Sequence, residues 1–551
     1  MVRTSGGPGG AVRFPRPSPV EWLYLTVGLA LVFRYRWYFD DAFIYFRYVD
    51  NFLFLNIGLT DSAGEYVEGY SSPLQCLVLI AMRSLHLGFP VIVVLLGLGC
   101  FAVFWYLLVC VHRNLWPGRD HANALNVPLA YLSVNYSVTS FFTSGNETAL
   151  THVVVAATAL LIVRPRSRVA VLVAASPLAR PELAITMALT MAYVWWRIRR
   201  VPRLFMVAAL VFNGGWLLFR VYYYADLLPN TFYLKHGTNI AAGVRYLRDL
   251  TDTYHVLPVF VVFAVLLIAV VRRRSRRGED VAVPLALVER GTMVLISLAT
   301  ATYTVLSGGS EMHYYYLAPS FILAVCALGG VLEAAVDETG LHPSPALRFA
   351  GMVGVSLLFF SWYPDSLSTH PVTLKDKMTR PPSPSVMTDP SWYRGYFTNL
   401  QQLSWPTIAA MRSAGETLRE RGRYERWTTT PWCFDVYAHP DTRSVHGLGL
   451  TDGILSRVDT WEVKRGHKPD LLKLARAIPE IQQAANSIGP GMYLEAVQAG
   501  RAPDWVEDNL ETINLIERKI YNRHDLLENI RLALTFPPRI QAGVSSPPAR
   551  D

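Results

Sequence analysis

Long apolar runs separated by short basic clusters are the feature that most constrains what this chain can fold into. An α-helix needs roughly 20 apolar residues to cross the hydrocarbon core of a bilayer, and many of these runs approach that length. Of the 551 residues, 52% are hydrophobic and only 17% are charged, which is more apolar than a soluble globular protein of ordinary composition. The sequence therefore predicts a mainly α-helical membrane protein. Its candidate spans are 20–37, 89–111, 127–142, 149–163, 182–196, 204–222, 256–271, 283–306, 316–336 and 347–363.

The formal net charge of +9 comes from basic residues that lie in clusters between the apolar runs. Such clusters are typical of cytoplasmic loops, in which Lys and Arg are enriched, so they indicate topology rather than binding of nucleic acid. We expect a lipid bilayer around this protein and no nucleic-acid partner. The clusters are "HRNLWPGR" from His112, "RPRSR" from Arg164, "RIRRVPR" from Arg197 and "RRRSRR" from Arg272.

Two shorter apolar runs, 72–86 and 168–178, are assigned by placing every basic cluster on the cytoplasmic side. The run 168–178 must then cross as a short helix broken at Pro177 and Pro181, because otherwise neighbouring clusters fall on opposite faces. The run 72–86 must not cross, and we expect an interfacial helix at the outer surface. This gives about eleven spans, with the N-terminus in the cytoplasm and the C-terminus outside.

The composition divides the chain into three parts. Residues 1–19 are rich in Gly and Pro and predict a disordered cytoplasmic tail, and residues 20–363 form the membrane domain. Residues 364–551 are of mixed polarity and predict a small α/β domain outside the membrane. We expect short strands in "ERWTTTPWCFDVYAH" and "TRSVHGLGL", and helices at 470–486 and 507–533.

Five polar segments between the spans fall on the non-cytoplasmic face of this topology, which predicts a functional site there. The first of them places the adjacent residues Asp40 and Asp41 directly after the first span. A carboxylate in this position is suited to act as a general base above the bilayer. The alternative is that both residues only cap the helix predicted to begin at Ala42. The five segments are 38–71, 143–147, 179–182, 222–237 and 308–316.

These segments and the C-terminal part contain several motifs in a fixed order. The motifs are "DDAFIYFRYVDN" with "GEYVEGYSSPL", then "TSGNETAL", "ARPELA", "FRVYYYADLLPNTFYLK", and finally "HGLGLTDGILSRV" with "KRGHK". Together they resemble the bacterial GT-C membrane glycosyltransferases that use polyprenyl-phosphate sugars, in particular the branch of mycobacterial terminal arabinofuranosyltransferases of arabinogalactan. The resemblance covers most of the chain, from Asp40 to about His467.

The resemblance implies a GT-C fold in the bacterial inner membrane and a transferase of cell-wall arabinan synthesis. The donor would be a lipid such as decaprenyl-phosphoryl-arabinose, and the acceptor would be a glycan outside the membrane. It implies that Asp40 or Asp41 is the base that takes the proton from the acceptor hydroxyl. We favour Asp41, because Asp40 stands closer to the apolar run and is expected to be more buried. We assign no cofactor from the sequence, and a divalent cation stays an open alternative.

The leaving group is already a phosphate, so it needs nearby cations rather than an acid. The candidates are Lys235, His236, Arg180 and Arg220, and the matching family motif has a lysine where Lys235 stands. For Lys235 and Arg220 the alternative is snorkelling to the membrane interface. Arg180 could instead form a structural ion pair with Glu182.

Acidic and aromatic residues are the candidates for contacts with sugar or acceptor. Glu147 matches a recurrent glutamate of the family, although a helix capping box with Ser144 is the interpretation we favour slightly. Glu68 lies in the second half of the first motif.

The segment "GGSEMHYYY" departs from the family pattern, because Ser310 stands where relatives carry an aspartate and Glu311 follows one place later. Glu311, His313 and Tyr314 remain candidates here. The tyrosine could stack on a sugar face, whereas a tyrosine belt at the membrane interface is the more frequent arrangement.

Asp452 and His467 lie in the motifs of the C-terminal part and would contact the acceptor. For Asp452 a helix cap is the interpretation that we favour.

Three other functions compete with an arabinofuranosyltransferase. A transporter or flippase of polyprenyl-linked sugars would also need many spans, but it usually has inverted repeats and charges deep within its spans. A mannosyl or other hexosyl transferase of GT-C type would use the same fold. A glycan-binding protein without catalysis is disfavoured by the presence of both Asp40 and Asp41.

Overall fold

The structure is a computed structural model, and it describes the amino-terminal part more completely than the rest. The described residues are 16–61, 64–115, 126–235, 239–253, 285–310, 314–338, 413, 427–429, 444–446, 450, 452–459, 471, 474, 492–522 and 524–542.

The described chain is mainly α-helical, as predicted. Its helices are Pro19–Arg34, Ala42–Leu53, Pro73–Arg83, Phe89–Leu115, Val127–Val134, Tyr136–Phe141, Thr148–Val163, Ala170–Ala174, Ser176–Ala179, Leu183–Ile198, Arg203–Ala209, Gly215–Tyr224, Asn230–Leu234, Ile240–Thr253, Leu285–Leu306, Ala318–Glu338, Met492–Gln498, Asp504–Glu507, Leu510–Ile520 and Leu526–Leu534. A π-helical turn, Leu210–Gly214, and two 3₁₀ turns, Tyr315–Leu317 and Leu455–Arg457, complete the helical segments.

Two helices within the described ranges are long and apolar enough to cross a membrane, namely Phe89–Leu115 and Arg203–Tyr224. The second runs without interruption through the π-helical turn, and only 11% of its most apolar stretch is buried inside the protein. Shorter apolar helices are Pro73–Arg83, Thr148–Val163, Leu183–Ile198 and Tyr315–Gly329. The membrane character of the chain thus rests on two helices, and the predicted spans 256–271 and 347–363 lie outside the described residues.

The predicted span 127–142 is in fact two helices, Val127–Val134 and Tyr136–Phe141. The chain is extended at Asn135, with φ −66° and ψ 125°, and the Asn135 side chain accepts a hydrogen bond from the Val138 N–H at 3.1 Å. An asparagine that caps the second helix ends the first one, which a count of apolar residues does not reveal.

Both short runs are helical, and whether either of them crosses a membrane stays a prediction. The run 168–178 contains Ala170–Ala174 and Ser176–Ala179, which are separated at Ala175. The run 72–86 contains the helix Pro73–Arg83 of 11 residues, which at 1.5 Å per residue is about 16 Å long. This is about half of what a spanning helix needs.

The main apolar core is built where Phe89–Leu115 packs against Thr148–Val163, and where Leu285–Leu306 packs against Ala318–Glu338. Between the first two helices the chain turns at Gly145, whose φ of +81° is readily adopted only by glycine among ordinary residues. This turn carries the "TSGNE" motif to the edge of the core.

The described residues of the C-terminal part form helices and four short strands. Strand β1 (Trp427–Thr429) pairs in parallel with β2 (Ser444–His446), and β3 (Val458–Asp459) pairs in parallel with β4 (Ile540–Gln541). The predicted α/β character is present in the described residues. The predicted helix 507–533 is two helices that end and begin around 521–525, and most of 470–486 lies outside the described residues.

A second apolar core joins the C-terminal part to the segment that follows Asp41. It contains Phe43 and Tyr48 of the helix Ala42–Leu53 together with Leu455, Ile516 and Ile520. The C-terminal part is thus packed on the segment that follows Asp41 in the amino-terminal part.

Candidate functional site

A cavity of about 310 Å³ lies where several of the predicted polar segments meet. Its volume is at the lower end of the range of ligand pockets, about 300–1,000 Å³. It combines four charged side chains with apolar ones that include Leu228, Phe232 and Leu306. The lining residues are Ser71, Glu147, Arg180, Pro181, Glu182, Leu228, Pro229, Thr231, Phe232, Lys235, Tyr303, Leu306, Ser307 and Tyr316.

Lys235 lies at the end of the short helix Asn230–Leu234 and lines the cavity. Its Nζ donates a hydrogen bond to the Tyr316 hydroxyl at 3.4 Å. The side chain is half-buried. The ammonium group is therefore held at the wall of the cavity, in contact with another lining residue.

Arg180 also lines the cavity, and its side chain is only 2% exposed. Its guanidinium pairs with Glu182, donates to the Tyr315 carbonyl oxygen at 2.9 Å, and lies 4.5 Å from the centroid of the Tyr316 ring. Burial is the largest single influence and lowers the pKa of Arg180, but the Glu182 carboxylate together with Tyr315, Glu147 and Tyr316 raises that pKa above its ordinary value. The cation is thus retained at the cavity, and the structural pair with Glu182 that was the alternative is present as well.

Glu147 faces the same cavity and is held by two tyrosines. Its Oε2 accepts a hydrogen bond from the Tyr45 hydroxyl at 3.2 Å, and its Oε1 accepts one from the Tyr315 hydroxyl. Burial raises the pKa of both phenols, and the charge of Glu147 raises each further. Both hydroxyls therefore stay protonated and donate to the carboxylate.

The capping box that we favoured for Glu147 is wrong. The Glu147 side chain makes no capping hydrogen bond to the helix Thr148–Val163. The Ser144 hydroxyl donates instead to the Phe141 carbonyl at 2.9 Å, and Asn146 Oδ1 accepts from the Thr148 N–H at 3.1 Å. Asn146 thus accepts the hydrogen bond at the start of this helix, and the Glu147 carboxylate is free to accept hydrogen bonds from Tyr45 and Tyr315.

Asp40 and Asp41 differ in exposure, as expected. Asp40 is 4% exposed, whereas Asp41 is half-buried, and both stand directly before the helix Ala42–Leu53. The Asp41 side chain makes no capping hydrogen bond to this helix, so the alternative role proposed for it is not seen. The Asp41 carboxylate contributes to the raised pKa of Tyr45 and of Tyr315, after burial and Glu147. It therefore lies within electrostatic reach of the Glu147 side of the cavity, although neither aspartate is among the lining residues.

Arg220 and Glu68 do not line this cavity but pair with each other. Arg220 Nε and Nη2 contact the two Glu68 carboxylate oxygens, and Trp216 Nε1 donates to Glu68 at 3.1 Å. Arg220 Nη1 donates to the Leu227 carbonyl at 3.1 Å. Each of the two buried charges is thus paired with the other, and their roles in binding phosphate and sugar stay predictions. The snorkelling alternative for Arg220 is not seen.

Tyr314 is also placed elsewhere than expected. Its side chain is fully buried, with its hydroxyl 3.0 Å from His152 Nε2 and its ring packed against Phe141 and Phe321. The expectation that Tyr314 faces the site is therefore wrong. Tyr316, which is half-buried, is the tyrosine of this segment that lines the cavity.

Asp452 has the capping role that we favoured. Its Oδ1 accepts hydrogen bonds from the N–H groups of Ile454 at 2.9 Å and Leu455 at 2.7 Å. The predicted site residues His236, Glu311, His313 and His467 lie outside the described residues.

Sequence reasoning missed a charged cluster beside the cavity. Asp226 Oδ2 lies 2.6 Å from Arg457 Nη2, and Asp226 Oδ1 lies 3.3 Å from Lys519 Nζ. Both cations belong to the C-terminal part, almost 300 positions away in the case of Lys519. The one signal was that Asp226 lies within the quoted motif "YYYADLLPNTFYLK", but no pattern indicates the distant partners.

The described part of the chain contains no group of three or more His, Cys, Asp or Glu side chains that could hold a metal ion. The charged groups of the cavity are two cations, Lys235 and Arg180, and two carboxylates, Glu147 and Glu182, and apolar side chains lie beside them. Comparison of the whole chain with protein-family models, with curated proteins and with solved structures gives no match.

Proposed function

We propose that this protein is a membrane glycosyltransferase of GT-C type that transfers a sugar from a polyprenyl-phosphate donor to a glycan acceptor. The observation that carries the proposal is the composition of the cavity. Two cationic side chains, Lys235 and Arg180, share it with the Glu147 carboxylate and with the apolar side chains Phe232 and Leu306. A phosphate, a sugar and an isoprenoid chain are the groups that such a lining would contact.

In this mechanism the phosphate of the donor lies near Lys235 and Arg180. The oxygen of an acceptor hydroxyl attacks the anomeric carbon of the donor sugar, and Asp41 takes the proton of that hydroxyl. The bond between the anomeric carbon and the phosphate oxygen breaks, and the phosphate leaves with the electron pair. The two cations stabilise the charge that develops on it, so no general acid is needed.

The membrane arrangement proposed here has about eleven spans in the bacterial inner membrane, an N-terminus in the cytoplasm and a C-terminal domain outside. It is supported by the exposed apolar surface of the helix Arg203–Tyr224, on which Leu210 and Leu218 are 73% and 72% exposed. A bilayer would cover these side chains. The short helix Pro73–Arg83 supports a segment that does not cross.

The sugar that we propose is arabinofuranose, as in cell-wall arabinan synthesis, and this choice rests on the motif resemblance. A hexose such as mannose is the alternative within the same fold. A transporter of polyprenyl-linked sugars is the alternative from another class.

One assay separates these functions. The protein, purified in detergent, is given radiolabelled polyprenyl-phosphate pentose or hexose together with cell-wall oligosaccharides, and Asp41→Asn is the matched control. We expect label in the oligosaccharide with the pentose donor and none with the variant. Label from the hexose donor alone would mean that the transferred sugar is a hexose and not arabinofuranose. If neither donor supports transfer and the protein moves the lipid-linked sugar across the membrane of proteoliposomes, the protein is a transporter and not a transferase.

A further inference from the structure

Residues 226–235 form one wall of the cavity. On the side that faces away from the cavity, this segment is held by side-chain contacts to the C-terminal part. Leu228, Pro229, Thr231, Phe232 and Lys235 line the cavity. The side chains of Asp226 and Asn230, within the same segment, point to the C-terminal part instead, as their contacts show. One side of this wall therefore faces the cavity, and the other side contacts the C-terminal part.

Ion pairs hold Asp226 to the C-terminal part. Its carboxylate contacts Arg457 Nη2 at 2.6 Å and Lys519 Nζ at 3.3 Å, and it accepts a hydrogen bond from the Tyr233 hydroxyl at 2.6 Å. The Arg457 guanidinium lies 3.9 Å from the centroid of the Tyr233 ring. Arg457 and Lys519 are 7% and 2% exposed, so these contacts are shielded from solvent, where charge-assisted hydrogen bonds are strongest.

Hydrogen bonds hold the Asn230 side chain to the same part of the chain. Its Nδ2 donates to the Leu450 carbonyl at 2.9 Å and to the Asp452 carbonyl at 3.2 Å. Its Oδ1 accepts from the Ser456 hydroxyl at 2.7 Å and from Arg457 Nη1 at 3.3 Å. Arg457 thus contacts both anchor points of the wall.

The amino-terminal part contacts the same segment as well, through hydrogen bonds that involve its backbone and through the contact of Lys235 with Tyr316. The Asn230 N–H donates to the Glu68 carbonyl at 3.0 Å, and the Leu227 carbonyl accepts from Arg220 at 3.1 Å. The C-terminal part contacts the side chains of both Asp226 and Asn230. A five-residue helix such as Asn230–Leu234 is not stable alone, so its position depends on these contacts.

We infer that Arg457 and Lys519 are positioning residues, which hold the 226–235 wall so that Lys235 faces the phosphate of the donor. This inference deepens the proposed function and rests on it for the identity of the ligand. The C-terminal part would then be required for donor binding even where it does not contact the donor.

The first experiment measures the position of the wall without any ligand. Lys235→Cys is introduced after Cys433→Ser, since the other four cysteines are buried, and its rate of labelling by a maleimide is measured. We expect Arg457→Ala to change this rate at least threefold, and Arg457→Lys to restore it in part because a lysine still pairs with Asp226. Arg518→Ala is the matched control, because Arg518 is adjacent to Lys519 but 59% exposed, and it should leave the rate unchanged.

The second experiment measures donor use in chains that keep Lys235. We expect Arg457→Ala and Lys519→Met to raise KM for the polyprenyl-phosphate sugar about tenfold, with kcat and the KM for the acceptor within about twofold of the wild-type values. If Arg457→Ala does not fold, Tyr233→Phe removes one hydroxyl from the cluster and should raise the same KM by a smaller factor.

The two experiments separate the inference from the function on which it rests. A wild-type protein that binds no polyprenyl phosphate contradicts the proposed function, and the labelling rates alone then decide the inference. Folded Arg457→Ala with the wild-type labelling rate and the wild-type donor KM would overturn the positioning role. A uniform loss of kcat without a change in donor KM would also overturn it.

Discussion

Tyr45 donates a hydrogen bond of 3.2 Å to the Glu147 carboxylate and so connects the helix after Asp41 to the cavity. Asp41 and Tyr45 are four positions apart, which places them on the same side of that helix. This spacing agrees with the contribution of Asp41 to the raised pKa of Tyr45. The two acidic motifs, distant in sequence, are thus parts of one hydrogen-bonded arrangement.

The second phenol on Glu147 gives the first prediction. Tyr315→Phe removes the hydroxyl that donates to Glu147 Oε1 and keeps the ring beneath Arg180. A hydrogen bond to a charged group contributes about 1.5–3 kcal/mol, so we expect the free energy of unfolding in detergent to fall by about that amount and sugar transfer to slow. Tyr222→Phe, at an exposed tyrosine, is the control and should change neither quantity. Unchanged stability in Tyr315→Phe would show that Glu147 does not depend on this donor.

The second prediction concerns the phosphate end of the donor. Lys235→Ala removes the ammonium group that contacts Tyr316 at the cavity wall. A charge-assisted hydrogen bond in a shielded site that strengthens in the transition state contributes about 3 kcal/mol, so we expect kcat/KM for the lipid donor to fall about a hundredfold. Steady-state kinetics with a short-chain polyprenyl donor measures it, with the exposed Arg518→Ala as a control for lost charge.

Normal turnover and normal donor affinity in Lys235→Ala would favour snorkelling as the role of this lysine. A lysine that only reaches the interface adds no specific contact to the phosphate.

Local features of the chain were predictable, and distant pairings were not. Apolar runs and prolines indicated the helical segments and the break near Pro177, and the "TSGNE" and "NTFYLK" motifs indicated two walls of the cavity. The partners of Arg220 and Asp226 were missed, because Glu68 and Lys519 lie 152 and 293 positions away and only tertiary packing brings them close. Glu147 was misread for a related reason: its local capping role fell to Asn146, and its two tyrosines are over 100 positions distant.

The third prediction is a pH dependence of stability at the Asp226 cluster. Burial, followed by the opposing attraction of Asp226 and the repulsion of Arg457, leaves the pKa of Lys519 below its ordinary value of 10.5. Between the folded pKa and 10.5 the unfolded chain binds more protons at this residue than the folded chain does. The contribution of Lys519 to stability therefore rises with pH through that window.

Thermal unfolding of the wild type and of Lys519→Met, from neutral pH towards 10.5, checks this sign. We expect the stability of the wild type relative to the variant to increase as the pH rises. A difference that decreases would mean that Asp226 dominates and raises the pKa of Lys519, and a constant difference would mean that folding does not shift this pKa. Other titrating groups are common to both proteins and cancel in the comparison.

The fourth prediction concerns topology. A reporter that is active only outside the cytoplasm, fused at Asp551, should be active, and one fused within the cluster from Arg197 should be inactive. The reason is that only this arrangement keeps every arginine cluster on the cytoplasmic side while the helix Pro73–Arg83 does not cross. A cytoplasmic signal from the fusion at Asp551 would contradict the assignment of the faces and would move the cavity to the wrong side for an external acceptor.

The last prediction separates the two adjacent aspartates. Neighbouring residues at the start of a helix point in different directions, so Asp40 and Asp41 are not expected to share one task. Asp40 is 4% exposed, which suits a structural role, whereas Asp41 is half-buried and acts electrostatically on both tyrosines that hold Glu147. Asp41→Asn keeps the shape and removes the proton acceptor, and loss of a general base lowers rates by about 10²–10⁴-fold. We expect that loss of transfer in Asp41→Asn with nearly unchanged folding and donor binding, and measurable activity with reduced thermal stability in Asp40→Asn. Transfer at the wild-type rate by Asp41→Asn and none by Asp40→Asn would reverse the roles, and full activity of both would place the base outside this pair.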